Sequence, residues 1–149
     1  MRAPTTEEKR NSPMIRPIMK NEFFLQQPSE DATPLDAPIA RDLLDTLALH
    51  AHECVGMAAN MIGQRKRIIV FMDGETPRAM MNPEIIAAKG PYETEEGCLS
   101  LDGRRPAKRF RTIRVRYRDL AFEERTETFE GFSAQIIQHE IDHCNGAVI

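Results

Sequence analysis

The sequence predicts an α+β fold, with antiparallel sheets packed around a C-terminal helix that carries His139-Glu-Ile-Asp-His143. Three observations predict it. Short apolar runs of strand length fill the middle of the chain, and helical periodicity is confined to the stretches before and after them. Strands and helices also do not alternate as they would in a doubly wound parallel sheet. The chain has 149 residues and a mass of 17.0 kDa, which suits one domain. Hydrophobic residues make up 41% and charged residues 29%, enough for a core with a solvated surface and unlike a disordered chain.

Residues 1–13, MRAPTTEEKRNSP, hold no periodic apolar pattern and are expected to form a flexible extension, with one domain over 14–149. A loop rich in Pro, Ser and Asp follows from Pro28 to Pro34. The first clear helix is expected from Ala37 to His52, with Asp36 as its cap and Pro38 in its first turn. Ile39, Leu43, Leu47 and Ala51 recur every fourth residue and form its apolar stripe. Strands are then expected over 67–72, ending at Asp73-Gly74, over 79–81, ending at Asn82-Pro83, and over 85–88, ending before Gly90. In Ile113-Arg-Val-Arg-Tyr117 apolar residues alternate with arginines, so one face is buried, and 126–130 is its expected hairpin partner. The last helix is expected to start near Ser133. On it Ile136, His139 and His143 share a stripe with Phe132, while Ile137, Ile141 and Cys144 form the neighbouring one.

Composition and targeting signals exclude several classes. A balance of 20 basic and 23 acidic residues, net charge −3, argues against broad phosphate attraction and so against a nucleic-acid binder of that kind. No apolar run approaches the roughly 20 residues that span a bilayer. The polar start holds no secretory signal, and three cysteines, Cys54, Cys98 and Cys144, cannot all pair. Sparse, odd cysteine usage fits a reducing compartment, here expected to be the cytoplasm.

The chemistry concentrates at His139-Glu140-Ile-Asp-His143. Residues four apart on a helix project from one face, so two imidazoles can bind one divalent cation, and Glu140 beside them can handle the proton of a water. Glu96-Gly-Cys98-Leu-Ser100 offers a third ligand, because a thiolate binds zinc and iron well. Three protein ligands leave a fourth position for water, as catalysis requires. A third stretch, Cys54-Val-Gly-Met-Ala-Ala-Asn-Met-Ile-Gly63, is rich in small residues that allow close backbone approach and an edge with which a substrate chain can pair.

Together these three stretches resemble the peptide deformylase family, whose blocks are Gly-x-Gly-Φ-Ala-Ala-x-Gln (Φ apolar), Glu-Gly-Cys-Leu-Ser and Gln-His-Glu-x-Asp-His. The second block is intact at Glu96 to Ser100 and the third at Gln138 to His143, and the likeness runs from about Met14 to the end. The first block departs from the pattern: Cys54 stands for its first glycine and Met61 for its glutamine.

The resemblance implies a metal-dependent hydrolase that removes the N-formyl group from the initiator methionine of nascent polypeptides and releases formate. It implies that Cys98, His139 and His143 hold one divalent metal, Fe²⁺ in the cell with Zn²⁺ or Ni²⁺ able to substitute, and that Glu140 carries the proton. The backbone amide of Leu99 is the implied oxyanion donor. Val55 and Gly56 would pair with the peptide, Phe132 and Ile136 would line the methionine pocket, and Arg105 would be a substrate-side arginine. The implied partners are N-formylmethionyl peptides and the ribosome, with no membrane and no sequence-specific nucleic acid. Methionine cannot donate a hydrogen bond, and loss of one oxyanion donor costs about 10²–10³ in turnover, so Met61 is expected to lower activity. Two alternatives stay open on these residues: a deformylase-like paralogue with weak or altered activity, and a non-enzymatic, metal-stabilised peptide-binding protein. Arg109 resembles a family arginine and is expected to pair with Asp142.

Overall fold

The structure, a computed structural model, describes residues 17–147; the expected extension over 1–13 lies outside the described residues. A short helix α1 (Glu22–Leu25) leads through a 3-10 turn (Pro34–Asp36) into α2 (Ala37–Leu49). Strands β1 (Gly56–Ala58), β2 (Ile68–Asp73), β3 (Thr76–Cys98), β4 (Leu101–Arg118) and β5 (Glu124–Glu130) follow, and α3 (Gly131–Cys144) closes the fold. Among the described residues the strands form one antiparallel sheet in the order β1-β2-β3-β4-β5. The several sheets expected from sequence are therefore joined into one meander.

β2 shows how the core is built. Successive side chains of a strand project to opposite faces, and both faces of β2 are covered. Ile68 and Val70 pack with Leu43 and Leu47 of α2, while Ile69 and Phe71 pack with Ile137 and Ile141 of α3. This accounts for an unbroken apolar run where an alternating one would mark a half-exposed strand.

The two short strands expected over 79–81 and 85–88 are parts of β3. Asn82 does not end the strand but takes φ 51°, and its side chain accepts the amide of Ala32 at 2.7 Å and donates to the carbonyl of Ala32 at 3.0 Å. The register against β4 shifts between Met81 and Glu84 and again between Ile85 and Ala87. Asn82-Pro83 thus falls at a bulge within a long strand and does not end it. The expected pairing of 113–117 with 126–130 is present, from Ile113 opposite Phe129 to Tyr117 opposite Arg125.

α2 ends at Leu49, short of the expected His52. Asp36 makes no side-chain cap for it, because its carboxylate accepts the backbone amide of Thr33 at 2.8 Å and so closes the preceding 3-10 turn. At the far end of the fold, α3 stops where Gly146 adopts φ 79°; a side chain there would also run into the backbone of Gln26. No helix among the described residues is long and apolar enough to cross a membrane.

Candidate active site

β1 and α3 approach so closely that no side chain fits between them. A Cβ added to Gly56 would lie 2.5 Å from Cγ2 of Ile136 and 2.9 Å from Oε2 of Glu140. The glycine therefore sets how near Glu140 comes to the sheet edge. Gly56→Ala is expected to cost about 1–3 kcal/mol by overpacking and to lower turnover by displacing Glu140, which denaturant unfolding and a formate-release assay would measure separately.

α3 is pinned to the sheet and to the turn after β1. The side-chain amide of Gln138 accepts from the amide of Phe110 and donates to its carbonyl, both at 2.8 Å, and Asn60 Nδ2 donates to the His143 carbonyl at 2.9 Å. Cys98 arrives from the other direction, at the end of β3, where it pairs with Leu101 across a two-residue turn. Sγ of Cys98 lies 3.3 Å from Nε2 of His143, and the two Nε2 atoms lie 3.2 Å apart. The ligand atoms of Cys98, His139 and His143 all fall within 4.8 Å of one another, a group that could hold a metal ion.

The chemistry of this group fits a divalent cation. Two nitrogens bound at about 2.0–2.1 Å in tetrahedral array lie roughly 3.3 Å apart, close to the observed spacing. Nδ1 of His139 is engaged with Glu96 Oε1 at 2.8 Å, which leaves Nε2 to face the other two ligands. Burial opposes a proton on His139, yet the neighbouring Glu140, Cys98 and Glu96 lift the ring to about 10. Burial instead pushes His143 down to about 3, helped by the charge on His139. His143 thus favours the neutral imidazole, the form in which a ring nitrogen can bind a cation.

Behind the ligands lies a buried ionic cluster. Glu96 accepts from Arg109 Nη2 at 2.6 Å and from Arg109 Nε at 3.0 Å, and it takes Gln135 Nε2 at 2.9 Å. Arg109 Nη1 reaches Asp142 at 2.7 Å, the pairing expected from sequence. Glu96 is the residue that sequence reasoning passed over: it appears there only as the first letter of a motif. A histidine ligand commonly gives its second ring nitrogen to a carboxylate, but which carboxylate does so is set only when β3 docks on α3. Arg109 is itself buried among these carboxylates.

A cavity of roughly 610 Å³ opens onto the cluster. Val55, Gly56, Leu99, Phe132 and Ile136 line it, together with Cys98, His139 and Glu140. The arginine on its wall is Arg104, not the expected Arg105; adjacent strand residues project oppositely, and Arg105 lies 3.6 Å from Glu22. Met61 is 1% exposed and belongs to the apolar layer beneath α2, against which Cys98 and Leu99 pack. Its sulfur accepts the amide of Ala58 at 3.4 Å. Glu140 is buried, and its Oε1 meets no hydrogen-bond partner among the described residues. Burial raises its carboxyl to about 7.

Comparison with known proteins identifies the relatives of the chain. A family model described as polypeptide deformylase matches residues 15–149. A curated peptide deformylase from Clostridium beijerinckii is 52% identical over 136 residues, 91% of this chain and 100% of that protein. The solved structure of a class I type b peptide deformylase from Acinetobacter baumannii bound to Met-Ala-Ser superposes with a TM-score of 0.81 at 28% identity, covering 90% of this chain and 96% of that one. A peptide deformylase structure from Thermotoga maritima gives 0.79 at 30% identity over 91% and 94% of the two chains. Likeness of this extent, in sequence and in fold, places the chain in the peptide deformylase family of metal-dependent hydrolases, which remove the N-formyl group from nascent polypeptides.

Proposed function

We propose that this deformylase works through one divalent cation held by Sγ of Cys98 and Nε2 of His139 and His143, with Glu140 as proton carrier. The observation that carries this is the convergence of three ligand atoms within 4.8 Å beside the unpartnered Oε1 of Glu140, on the wall of one cavity. When bound, the cation supplies Lewis acidity, which makes a water more acidic and stabilises negative charge on the formyl oxygen. A mixed sulfur and nitrogen set suits iron, zinc and nickel, and we take Fe²⁺ as the cellular metal.

The remaining work falls to the chain itself. A formylated peptide lies extended along Val55 and Gly56 and pairs through its main chain, with its methionine side chain between Phe132 and Ile136. The backbone amide of Leu99 donates to the carbonyl oxygen as negative charge develops there. Oε1 of Glu140 takes the proton of the attacking water and delivers it to the amide nitrogen. The C–N bond then breaks, leaving formate and a free amino terminus. Burial at Glu140 excludes bulk water from the proton's path. The buried Arg109–Glu96 pair holds His139 in its ligating orientation. Met61 offers no donor of its own, so the oxyanion depends on Leu99 and the cation. The substrate also suggests a cytoplasmic site of action close to the ribosome, where N-formylmethionyl chains emerge.

The deciding experiment is formate release from formyl-Met-Ala-Ser by protein loaded anaerobically with Fe²⁺ or Ni²⁺. Release is expected to stop on chelation and to return when metal is restored. Rates no higher than those of Glu140→Ala would overturn the proposal.

A further inference from the structure

Gln135 stands one helical turn before His139 on α3, and both line the cavity. Phe132 and Ile136, its neighbours on the same wall, are apolar, so a glutamine is not what packing against a methionine side chain asks for. Its amide is committed elsewhere: Nε2 donates to Glu96 Oε2 at 2.9 Å, while Glu96 Oε1 takes Nδ1 of His139 at 2.8 Å. The other bonds to Glu96 come from Arg109, on β4, away from the cavity wall. Among the described residues no hydrogen bond to Gln135 Oε1 is present.

We propose that Gln135 is a positioning residue that couples the wall of the substrate pocket to the orientation of His139 through Glu96. A side chain seated between Phe132 and Ile136 presses on Gln135 and limits its rotation. The amide then holds the second oxygen of Glu96, whose first oxygen orients the imidazole. With the pocket empty or filled by a small side chain, the amide is freer to turn and Glu96 loses one of its fixed donors. Gln135 thereby favours large first residues through turnover as well as through binding. This rests on the ligand set proposed above.

Gln135→Met tests it, because the side chain keeps its length and shape but has no donor. Outer partners of a metal ligand typically matter by 10–100-fold in metal affinity or activity. One neutral bond among several should sit near the low end, about tenfold. The variant is expected to hold Zn²⁺ about tenfold more weakly in competition with a chelator and to show a shifted visible spectrum when loaded with Co²⁺. With formyl-Met-Ala-Ser, kcat should fall while KM stays within about twofold, and the kcat preference for formyl-Met over formyl-Ala peptides should shrink. Gln135→Ala removes the donor without the thioether and should repeat the metal and spectral changes. Wild-type zinc affinity and an unshifted Co²⁺ spectrum in both variants would overturn the proposal, as would a change confined to KM, which would make Gln135 a wall residue only. Zinc affinity and the Co²⁺ spectrum are read without turnover, so a parent protein that releases no formate would sink the functional proposal and leave this comparison standing.

Discussion

Replacing Glu140 by glutamine is expected to lower formate release by about 10²–10⁴-fold, the range typical of a lost general acid–base group, while leaving metal content unchanged. The substitution preserves volume in a site with no spare room: Oε2 already stands where a Cβ on Gly56 would intrude at 2.9 Å. A glutamine amide can fill that space but cannot accept the water's proton. The side chain is not placed among the three ligand atoms, so zinc or nickel should load as in the parent. Turnover near the parent rate would place the proton carrier elsewhere, and loss of metal would make Glu140 a part of the ligand set.

Glu96→Ala should have the largest effect on stability. Both side chains of its pair with Arg109 are nearly sequestered, 5% exposed for Arg109 and 7% for Glu96. Removing one partner of such a pair costs about 3–5 kcal/mol, because it strands the other's charge away from water. Asp142 still holds Arg109 at 2.7 Å, so the lower end, about 3 kcal/mol, is the expected loss in denaturant unfolding of the metal-free protein. Metal affinity should fall as well, since Nδ1 of His139 loses its acceptor. The pH dependence has a definite sign. Burial would raise the Glu96 carboxyl, but bonds from His139, Arg109 and Gln135 outweigh it and hold the group at about 2, against an ordinary 4.5. A depressed carboxylate contributes its full stability above the ordinary value and loses it as pH falls toward 2. The parent should therefore weaken over that window more steeply than Glu96→Ala. Equal slopes would show that this carboxylate contributes little.

Much of this was legible in the sequence because the ligands advertise themselves locally. Two histidines four apart declare their own geometry once a helix is granted, and the strand at 113–117 declares its buried face by alternation. The boundaries that misled are those where tertiary partners outweigh local signals. Asn82-Pro83 and Gly90 look like strand ends, yet β3 continues through both: Asn82 finds the backbone of Ala32, fifty residues earlier in the chain, and pairing with β4 carries on either side of Gly90. Asp36 looks like the cap of α2 but is taken by Thr33. Arg105 and Arg104 are indistinguishable until the strand register assigns each to a face. The ionic cluster was half visible: the bond between Arg109 and Asp142 was expected from the family resemblance, whereas the meeting of Glu96 with His139 requires β3 and α3 to be docked.

β2 has a further consequence. Because its odd and even side chains belong to different apolar layers, a slip of one residue would hand Phe71 to the wrong side and Val70 to the other, spoiling both at once. The two layers are thus tied through one strand, and a single cooperative melting transition is the expected behaviour.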